Sequence, residues 1–538
     1  MYLVMEKEGN QPKEMNLFAR KSSGLVREIS AIHAIVFNLV SAGILFSFLY
    51  ITWALPLYPG ANLPLTAIIA IFLGLPLALV YYMLSISMPR SGGDYVWLSR
   101  ITSPLVGFTL NVSIVFVLLA WIGTNPSLTI QYGVVPLLYG WSVILHNPSL
   151  MGLANSINNP LFITIFGLFY FILIGFILTR KSKTIMNILI ILFIITLIGY
   201  GAYIFGLLYV GQTGFILNFN KYSGMNYNQI INSAINAGYP STLLLTTTMF
   251  ALVYTFLNLI GYVFSAYIGG EIKNVQKSQL IGMVGALVIF SILLFIIYEV
   301  TYYVMGAVFV GSISYLASSG NSLYTLPIPP FMNVLLIYGT HNLIVVTLAN
   351  IGFILTPLMV IINYMLISSR NMFAWSFDRI LPSFITKVDP KYSSPYVSVI
   401  IIVGLAMIFQ LLWLITPAFQ YFLYLTTIVF ILYTVVGIAA ILFPYRKKEI
   451  FESSPNIVKI KIGSLPLIVI IGILTTIISV FIVISTFLPT FGGIMNPISL
   501  VYNLSVYPIA IIIYLIAHWY RKKKGLPLEY SFKEIPPL

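Results

Sequence analysis

Side-chain catalysis needs acids, bases or nucleophiles gathered in one place, and this chain of 538 residues is poor in all three. It has 13 Asp and Glu, four His and no Cys. Disulfides and thiolate metal sites are therefore excluded. His33, His146, His341 and His518 lie in separate segments, without the His-Glu-x-x-His or close-pair spacing of a metal site. No cofactor is expected. No Gly-x-x-x-x-Gly-Lys-[Ser/Thr] loop occurs, which removes ATP hydrolysis by that route. Polar segments reach only about 30 residues, too short to fold as a catalytic domain, so no enzyme is expected.

The backbone is the remaining source of chemistry. The stretch "LNLIGYVFSAYIGGEIKN", residues 257–274, is apolar enough for lipid, yet it contains Gly261 and ends in glycines, an acid and a base. A glycine in a membrane helix most often permits close packing. A second run of small residues, "VSAGIL" at Val40–Leu45, lies in the first apolar segment. Where a helix unwinds in lipid, its freed N–H groups carry partial positive charge and its freed carbonyls partial negative charge. A zwitterion satisfies both.

Those two stretches belong to a larger pattern. The chain is 59% hydrophobic and 7% charged, with a mean hydropathy of +0.99, which places it among polytopic membrane proteins. The first 29 residues are polar and unlike a signal peptide. Apolar runs predict twelve spans, at 30–56, 63–88, 104–133, 160–179, 184–210, 243–268, 279–307, 342–369, 397–415, 418–443, 464–488 and 502–520. The polar stretch 128–160 reads as an outer loop, with a short interfacial helix as the other reading. Under this assignment every Lys and Arg except Lys221 falls on the side of the N-terminus, so both termini are expected in the cytoplasm. The +14 charge then faces anionic lipid headgroups and implies no nucleic-acid partner. Outer loops carry no Asp or Glu, which suggests a prokaryotic plasma membrane facing an acidic medium.

Spans 1 and 6 are five apart, an odd number, so a repeat of spans 1–5 in spans 6–10 must be inverted. Interrupted helices at matching positions of two inverted halves point to a transporter's midplane site. The expected organisation is a cytoplasmic tail (1–29), a first five-helix repeat (30–210), an outer loop (211–242) and a second, inverted repeat (243–443). A cytoplasmic loop (444–463), helices 11 and 12 (464–520) and a cytoplasmic tail (521–538) complete it.

Three blocks resemble the amino acid/polyamine/organocation (APC) superfamily of secondary transporters, which have the leucine-transporter-like fold. "PRSGGDYVWLSR" (Pro89–Arg100) is similar to the family's cytoplasmic Pro-Arg-x-Gly-Gly-x-Tyr motif. "GGEIKN" lies where members carry an acidic, Lys-Asn-Pro run. "SRNMFAWSFDRILPSF" through "SSPYVSV" is similar to the pattern after span 8. The resemblance covers spans 1–10. The family's Gly-Ser-Gly in span 1 is Ser41-Ala42-Gly43 here, and Val275 stands for the usual proline.

The resemblance implies an amino acid permease that works by alternating access. Backbone amides around Ala42, Gly43 and Ile44 would hold the substrate carboxylate. Carbonyls near Leu39, Val40, Leu257 and Ile260 would hold the ammonium group. Gly261 would mark the unwound turn, with Phe256 and Tyr262 as candidates for an aromatic gate or side-chain pocket. No carboxylate lies at pocket depth in spans 1, 3, 6, 8 or 10. A second cation on the substrate would be buried unpaired at a cost of several kcal/mol, so a neutral amino acid, apolar or aromatic, fits better than a polyamine. A nucleobase or other solute on the same fold is the alternative. A channel or a membrane-embedded enzyme fits less well, because no polar pore ring or acid cluster is seen.

Glu299 is the single acid inside a predicted span. One reading puts it among the outer headgroups with Tyr298, Tyr302 and Tyr303; the other makes it the carrier of a coupled proton. Asp94 and Glu271 read as cytoplasmic loop locks. Asn187, Thr356 and Asn363 read as packing hydrogen bonds. The coupling ion, proton or sodium, and the oligomeric state stay open at this stage.

Overall fold

Helix starts are set locally in this chain. Spans 2, 3 and 4 each begin with a proline in the first turn, where the missing N–H costs nothing. Each is preceded by a capping side chain: Asn62 accepts from Leu65 N–H, Ser103 from Val106 N–H and Asn159 from Phe162 N–H. The computed structural model describes residues 25–416, 422–487, 497–525 and 528–532. Of the expected tails, 1–29 lies largely outside them, and 521–538 is described only at 521–525 and 528–532.

Among the described residues, twelve helices are long and apolar enough to cross a membrane. They are spans 1 (Ala31–Leu57), 2 (Leu63–Ser87), 3 (Pro104–Leu145), 4 (Pro160–Leu178), 5 (Ser182–Tyr222), 6 (Leu245–Tyr267), 7 (Val275–Ser318), 8 (Leu343–Phe377), 9 (Tyr396–Ile415), 10 (Leu425–Arg446), 11 (Leu467–Phe487) and 12 (Leu500–Lys523). The protein is an all-α, multi-pass membrane protein. Its only sheet among the described residues is a two-residue pairing, Lys461–Ile462 with Leu465–Pro466. The most apolar 18-residue stretches of spans 1 and 6 are 94% and 89% buried, against 28% and 22% for spans 9 and 12, so the helices carrying Gly43 and Gly261 lie at the centre.

Differences from the expected boundaries have local causes. Span 3 runs on to Leu145, through the polar stretch read as a loop. Thr124 and Asn125 donate back to Trp121 C=O, and Thr129 donates to Asn125 C=O, so their polarity is consumed within the helix. A short helix follows at Pro148–Ile157. The segment 211–242, read as a loop, is mostly helical: span 5 turns at Gly211 (φ 64°, ψ 176°) and continues to Tyr222, and a second helix covers Tyr227–Asn236.

The face carrying Arg27, Arg90 and Arg100, called here the basic face, is tightly closed. Gly92 and Gly93 have φ of 101° and 51°, which glycine tolerates best. They bring the loop after span 2 against the end of span 6, where Gly92 N–H donates to Tyr267 C=O at 3.0 Å. The N-terminal segment adds a second strap, with Glu28 and Ile29 N–H both donating to Glu271 C=O at 3.0 Å. Two buried ion pairs complete the closure. Arg100, on the short helix Asp94–Ile101, grips Asp378 through both terminal nitrogens at 2.7 and 2.9 Å. Arg370 of span 8 pairs with Glu271 at 2.7 Å, and Glu271 also accepts from Ser182 of span 5.

These pairs yield a stability prediction. Arg100→Ala leaves the Asp378 carboxylate buried with its cation gone and should cost about 3–5 kcal/mol. Lys448→Ala breaks only the exposed pair with Glu452 and should leave stability unchanged. Thermal unfolding of the purified protein in detergent reads both; equal midpoints would show that the Arg100 pair does not hold the closure.

Candidate functional site

The first half of span 1 ends at Ala42. Gly43 takes a left-handed conformation (φ 71°, ψ 77°), and the chain resumes as a 3-10 turn at Ile44–Phe46 and a helix at Ser47–Leu57. The first half closes with Gly43 N–H on Leu39 C=O at 3.2 Å, and the second opens with Phe46 N–H on Gly43 C=O at 3.0 Å. In an unbroken helix Ile44 N–H would bond to Val40 C=O and Leu45 N–H to Ser41 C=O. The break releases all four groups. Among the described residues the two amides find no other chain partner, whereas Ser41 C=O is recaptured by the Tyr364 hydroxyl at 2.8 Å.

Span 6 changes character beside it. Its α-helix ends at Leu259 and tightens into a 3-10 helix, Ile260–Tyr267, rather than unwinding fully. Gly261 faces Ser41, and a Cβ there would lie 2.5 Å from the Ser41 carbonyl carbon, so its hydrogen lets the two interrupted helices touch. Its backbone is not left-handed; only Gly43 has that requirement. Span 8 pins the break from the other side. Asn363 donates to Phe37 C=O at 2.8 Å and to Ser41 Oγ at 3.0 Å.

The structure brings together Leu39, Val40, Ser41, Ala42, Gly43, Ile44, Leu257, Ile260 and Gly261, all buried around the break. Two of the expected carbonyl ligands are already engaged, Leu39 C=O by Gly43 N–H and Ile260 C=O by the Tyr433 hydroxyl at 2.9 Å. Leu39 C=O keeps one lone pair, whereas Ile260 C=O also serves the first turn of the 3-10 helix. Neither aromatic gate candidate is placed as a gate. Tyr262 donates to Gly74 C=O of span 2, and Phe256 stacks edge-on against Phe430 of span 10 at 5.7 Å. Both are used in packing.

Glu299 needs the same correction. It is exposed on the outside of the bundle, one residue from Tyr298, which is buried. Its side chain is not among those enclosing the break.

Sequence reasoning missed the residues that hold the break, Tyr364 and Tyr433, and read Asn363 only as packing. Polar groups in spans 8 and 10 were the available signal. Asn258, one turn before the change in span 6, was also missed; its buried carboxamide makes no well-formed hydrogen bond, and its polar neighbour is Tyr298. No Lys, Arg, His, Asp or Glu lies beside the break among the described residues; the buried ionisable side chains are His33, Asp94, Arg100, Glu271, Arg370 and Asp378, toward the basic face.

Access from the other face is closed by rings. Phe46, just past the break, lies 6.2 Å from Trp121 and 6.3 Å from Phe353. Farther out, Trp53 meets Tyr132 and Phe331 edge-on at 6.3 and 6.2 Å. The break is thus enclosed on both sides.

A sequence model of the amino acid permease family matches residues 29–517, which include both interrupted helices and the basic-face closure. The chain belongs to the amino acid permease family. It is also similar to uncharacterized protein 399 of Sulfolobus islandicus rod-shaped virus 1, being 26% identical over 278 residues. That match covers 51% of the chain and 57% of the viral protein, so the permease spans little more than half the length of that relative.

The glycines give the test of this geometry. Gly43→Val puts a branched side chain on a left-handed backbone, 2.7 Å from the Phe46 ring, and Gly261→Leu drives side-chain bulk into the Ser41 backbone. Both should abolish substrate binding. Gly269→Ala meets its nearest atom, Arg90 C=O, at 3.2 Å with no left-handed strain, and should bind within a few-fold of wild type. Scintillation proximity binding on purified protein reads all three; normal binding by the first two would mean that the glycines serve helix packing alone.

Proposed function

We propose that this permease is a secondary transporter of neutral α-amino acids, apolar or aromatic, working by alternating access in a plasma membrane with its basic face and both termini in the cytoplasm. The observation that carries the reading is the break at Gly43, which leaves the Ile44 and Leu45 amides beside a released Val40 carbonyl, with no charged side chain near. The amides and the positive end of the following half-helix suit a carboxylate. The Val40 carbonyl, with the spare lone pair of Leu39, suits an ammonium group. A zwitterion brings both charges and is neutral overall, so its burial leaves no unpaired charge.

Alternating access fits the two enclosures. The aromatic plug can part without breaking an ion pair, and the basic-face closure can part by separating the loop after span 2 from spans 6 and 8. The inverted relation of spans 1–5 and 6–10 makes the two movements counterparts of each other. The same residues disfavour a polyamine, since the site holds no carboxylate for a second cation.

The experiment is uptake of a labelled panel into proteoliposomes. Leucine, phenylalanine and other neutral amino acids should accumulate; lysine, arginine, putrescine and uracil should not. Uptake of lysine or putrescine at the rate of leucine would overturn the neutral-substrate reading, and no uptake of any amino acid would overturn the permease reading.

A further inference from the structure

Asp94 lies outside the predicted spans, at the start of the short helix that follows the Gly92-Gly93 loop, yet it is fully buried. Its Oδ2 accepts from the hydroxyls of Tyr81 (span 2, 3.0 Å) and Tyr267 (end of span 6, 2.5 Å), and its Oδ1 accepts from Asn111 (span 3, 2.8 Å). Asn111 in turn accepts from the Trp375 indole of span 8 at 2.7 Å. One carboxylate therefore ties together the four spans that close the basic face.

The other buried acids of the closure are matched by cations, Asp378 by Arg100 and Glu271 by Arg370. Asp94 has no cationic partner among the described residues. The ionisable groups facing it are tyrosines: Tyr81, Tyr267 and, from span 10, Tyr433. On its own helix Arg100 is committed to Asp378, and so is the Tyr95 hydroxyl. Burial pushes the Asp94 carboxyl up to about 6, against the pull of the Tyr267, Asn111 and Tyr81 side chains and the Tyr95 N–H.

Tyrosine rings follow one another from the opposite face toward the break, and from span 10 to this acid. Tyr58, at the outer end of span 1, meets Tyr254 at 6.0 Å between ring centres, and Tyr254 meets Tyr50 at 6.3 Å. Tyr364 lies at the break, donating to Ser41 C=O, and Tyr433, donating to Ile260 C=O, meets Tyr81 at 5.7 Å between ring centres, next to Asp94. Tyr364 and Tyr433 are the two residues that hold the breaks of spans 1 and 6. A phenolic hydroxyl both donates and accepts, but Tyr364 and Tyr433 already donate to Ser41 and Ile260 C=O, so a proton passes this way only when those hydroxyls turn from the carbonyls and water bridges the rings.

We propose that Asp94 is the binding site of a co-transported proton, reached along this tyrosine file from the outer side and emptied to the cytoplasm when the basic-face closure opens. The proposal rests on the permease reading above and names its coupling ion. A proton from outside adds to the Asp94 carboxylate to give a neutral acid, and the same proton leaves to cytoplasmic water. The sign follows from linkage. In the closed state the carboxyl titrates near 6, and in water an aspartate titrates at about 3.9, so opening lowers proton affinity roughly a hundredfold. Protonation therefore favours the closed, outward-loading state, and opening to a neutral cytoplasm releases the proton. Sodium has less to bind: of the carbonyls at the end of the first half-helix, Phe37 and Ser41 are already taken by Asn363 and Tyr364.

Two measurements test it. The first needs no substrate. The chain has no cysteine, so Ala266→Cys, buried behind Gly93, reports opening by its maleimide labelling rate, normalised to the same thiol in the unfolded chain. The rate should fall several-fold between about pH 7.5 and pH 5, with a midpoint near 6. It should be slow and independent of pH with Asp94→Asn, and the pH dependence should return with Asp94→Glu. Tyr81→Phe removes a donor to the anion and should move the midpoint upward. Unchanged pH dependence in Asp94→Asn, or an unmoved midpoint in Tyr81→Phe should Asp94→Asn fail to fold, overturns the proposal. The second is acidification of a pH dye inside wild-type proteoliposomes on adding leucine. Proton entry with leucine, lost in Asp94→Asn, supports the proposal; leucine uptake without proton entry overturns it and leaves the permease reading standing. If no amino acid is taken up, the permease reading fails and the thiol measurement decides the proton site alone.

Discussion

The rest of the structure depends on one constraint: a backbone group released inside a membrane must find a partner inside the protein. Breaking span 1 at Gly43 releases two amides and two carbonyls, and water is not there to take them. The chain answers selectively. The Ser41 carbonyl goes to Tyr364, and Asn363 covers Phe37 C=O and Ser41 Oγ from the same helix. The amides of Ile44 and Leu45 and the carbonyl of Val40 are left over. A binding site of this kind consists of the groups that the scaffold leaves unsatisfied, and neutral side chains decide which those are.

The same constraint links the site to the closure. Span 6 does not unwind; it tightens into a 3-10 helix that runs from Ile260, beside the break, to Tyr267, which donates to Asp94. A 3-10 helix rises about 2.0 Å per residue against 1.5 Å for an α-helix, with poorer hydrogen-bond geometry. It is therefore a segment that can lengthen or shorten at small cost. One end touches Ser41 through Gly261 and the other touches the Gly92-Gly93 loop, so a change in its pitch is felt at the site and at the closure together.

Span positions were readable from hydropathy because the bilayer enforces long apolar runs, and helix starts were readable from Asn, Ser and Pro at their caps. Span 3 is expected to end at 133 because the polar stretch from 128 reads as a loop, whereas Thr129 spends its hydroxyl on its own helix and the apolar run Val135–Leu145 carries the helix on. The break in span 1 was legible from Val40–Leu45, since a glycine among small residues is the ordinary way to leave a helix. What held it was not legible. Tyr364 and Tyr433 are two of 36 tyrosines in a chain rich in aromatics, and nothing local distinguishes a tyrosine that meets a carbonyl across the bundle from one that packs or faces lipid. The same ambiguity made Tyr262 look like a gate, when its hydroxyl is committed to Gly74 C=O.

The acids show most clearly what a linear reading loses. Glu299 stands out because it interrupts an apolar run, while Asp94 is hidden in a loop motif with charges nearby. Folding reverses their environments. A helix has a face turned away from its neighbours, so an acid within a span can still lie outside the protein, as Glu299 does. A loop held by two left-handed glycines can be driven into the bundle until its first helical residue is sealed from water, as Asp94 is. The cost of burying a charge depends on enclosure rather than on position in an apolar run, and enclosure is set here by four spans that are far apart in sequence. Among the described residues Asp94 lacks the cation that its neighbours Asp378 and Glu271 have, and its charge is balanced there by neutral donors. Of the acids in the closure, that one has the most to gain from a proton.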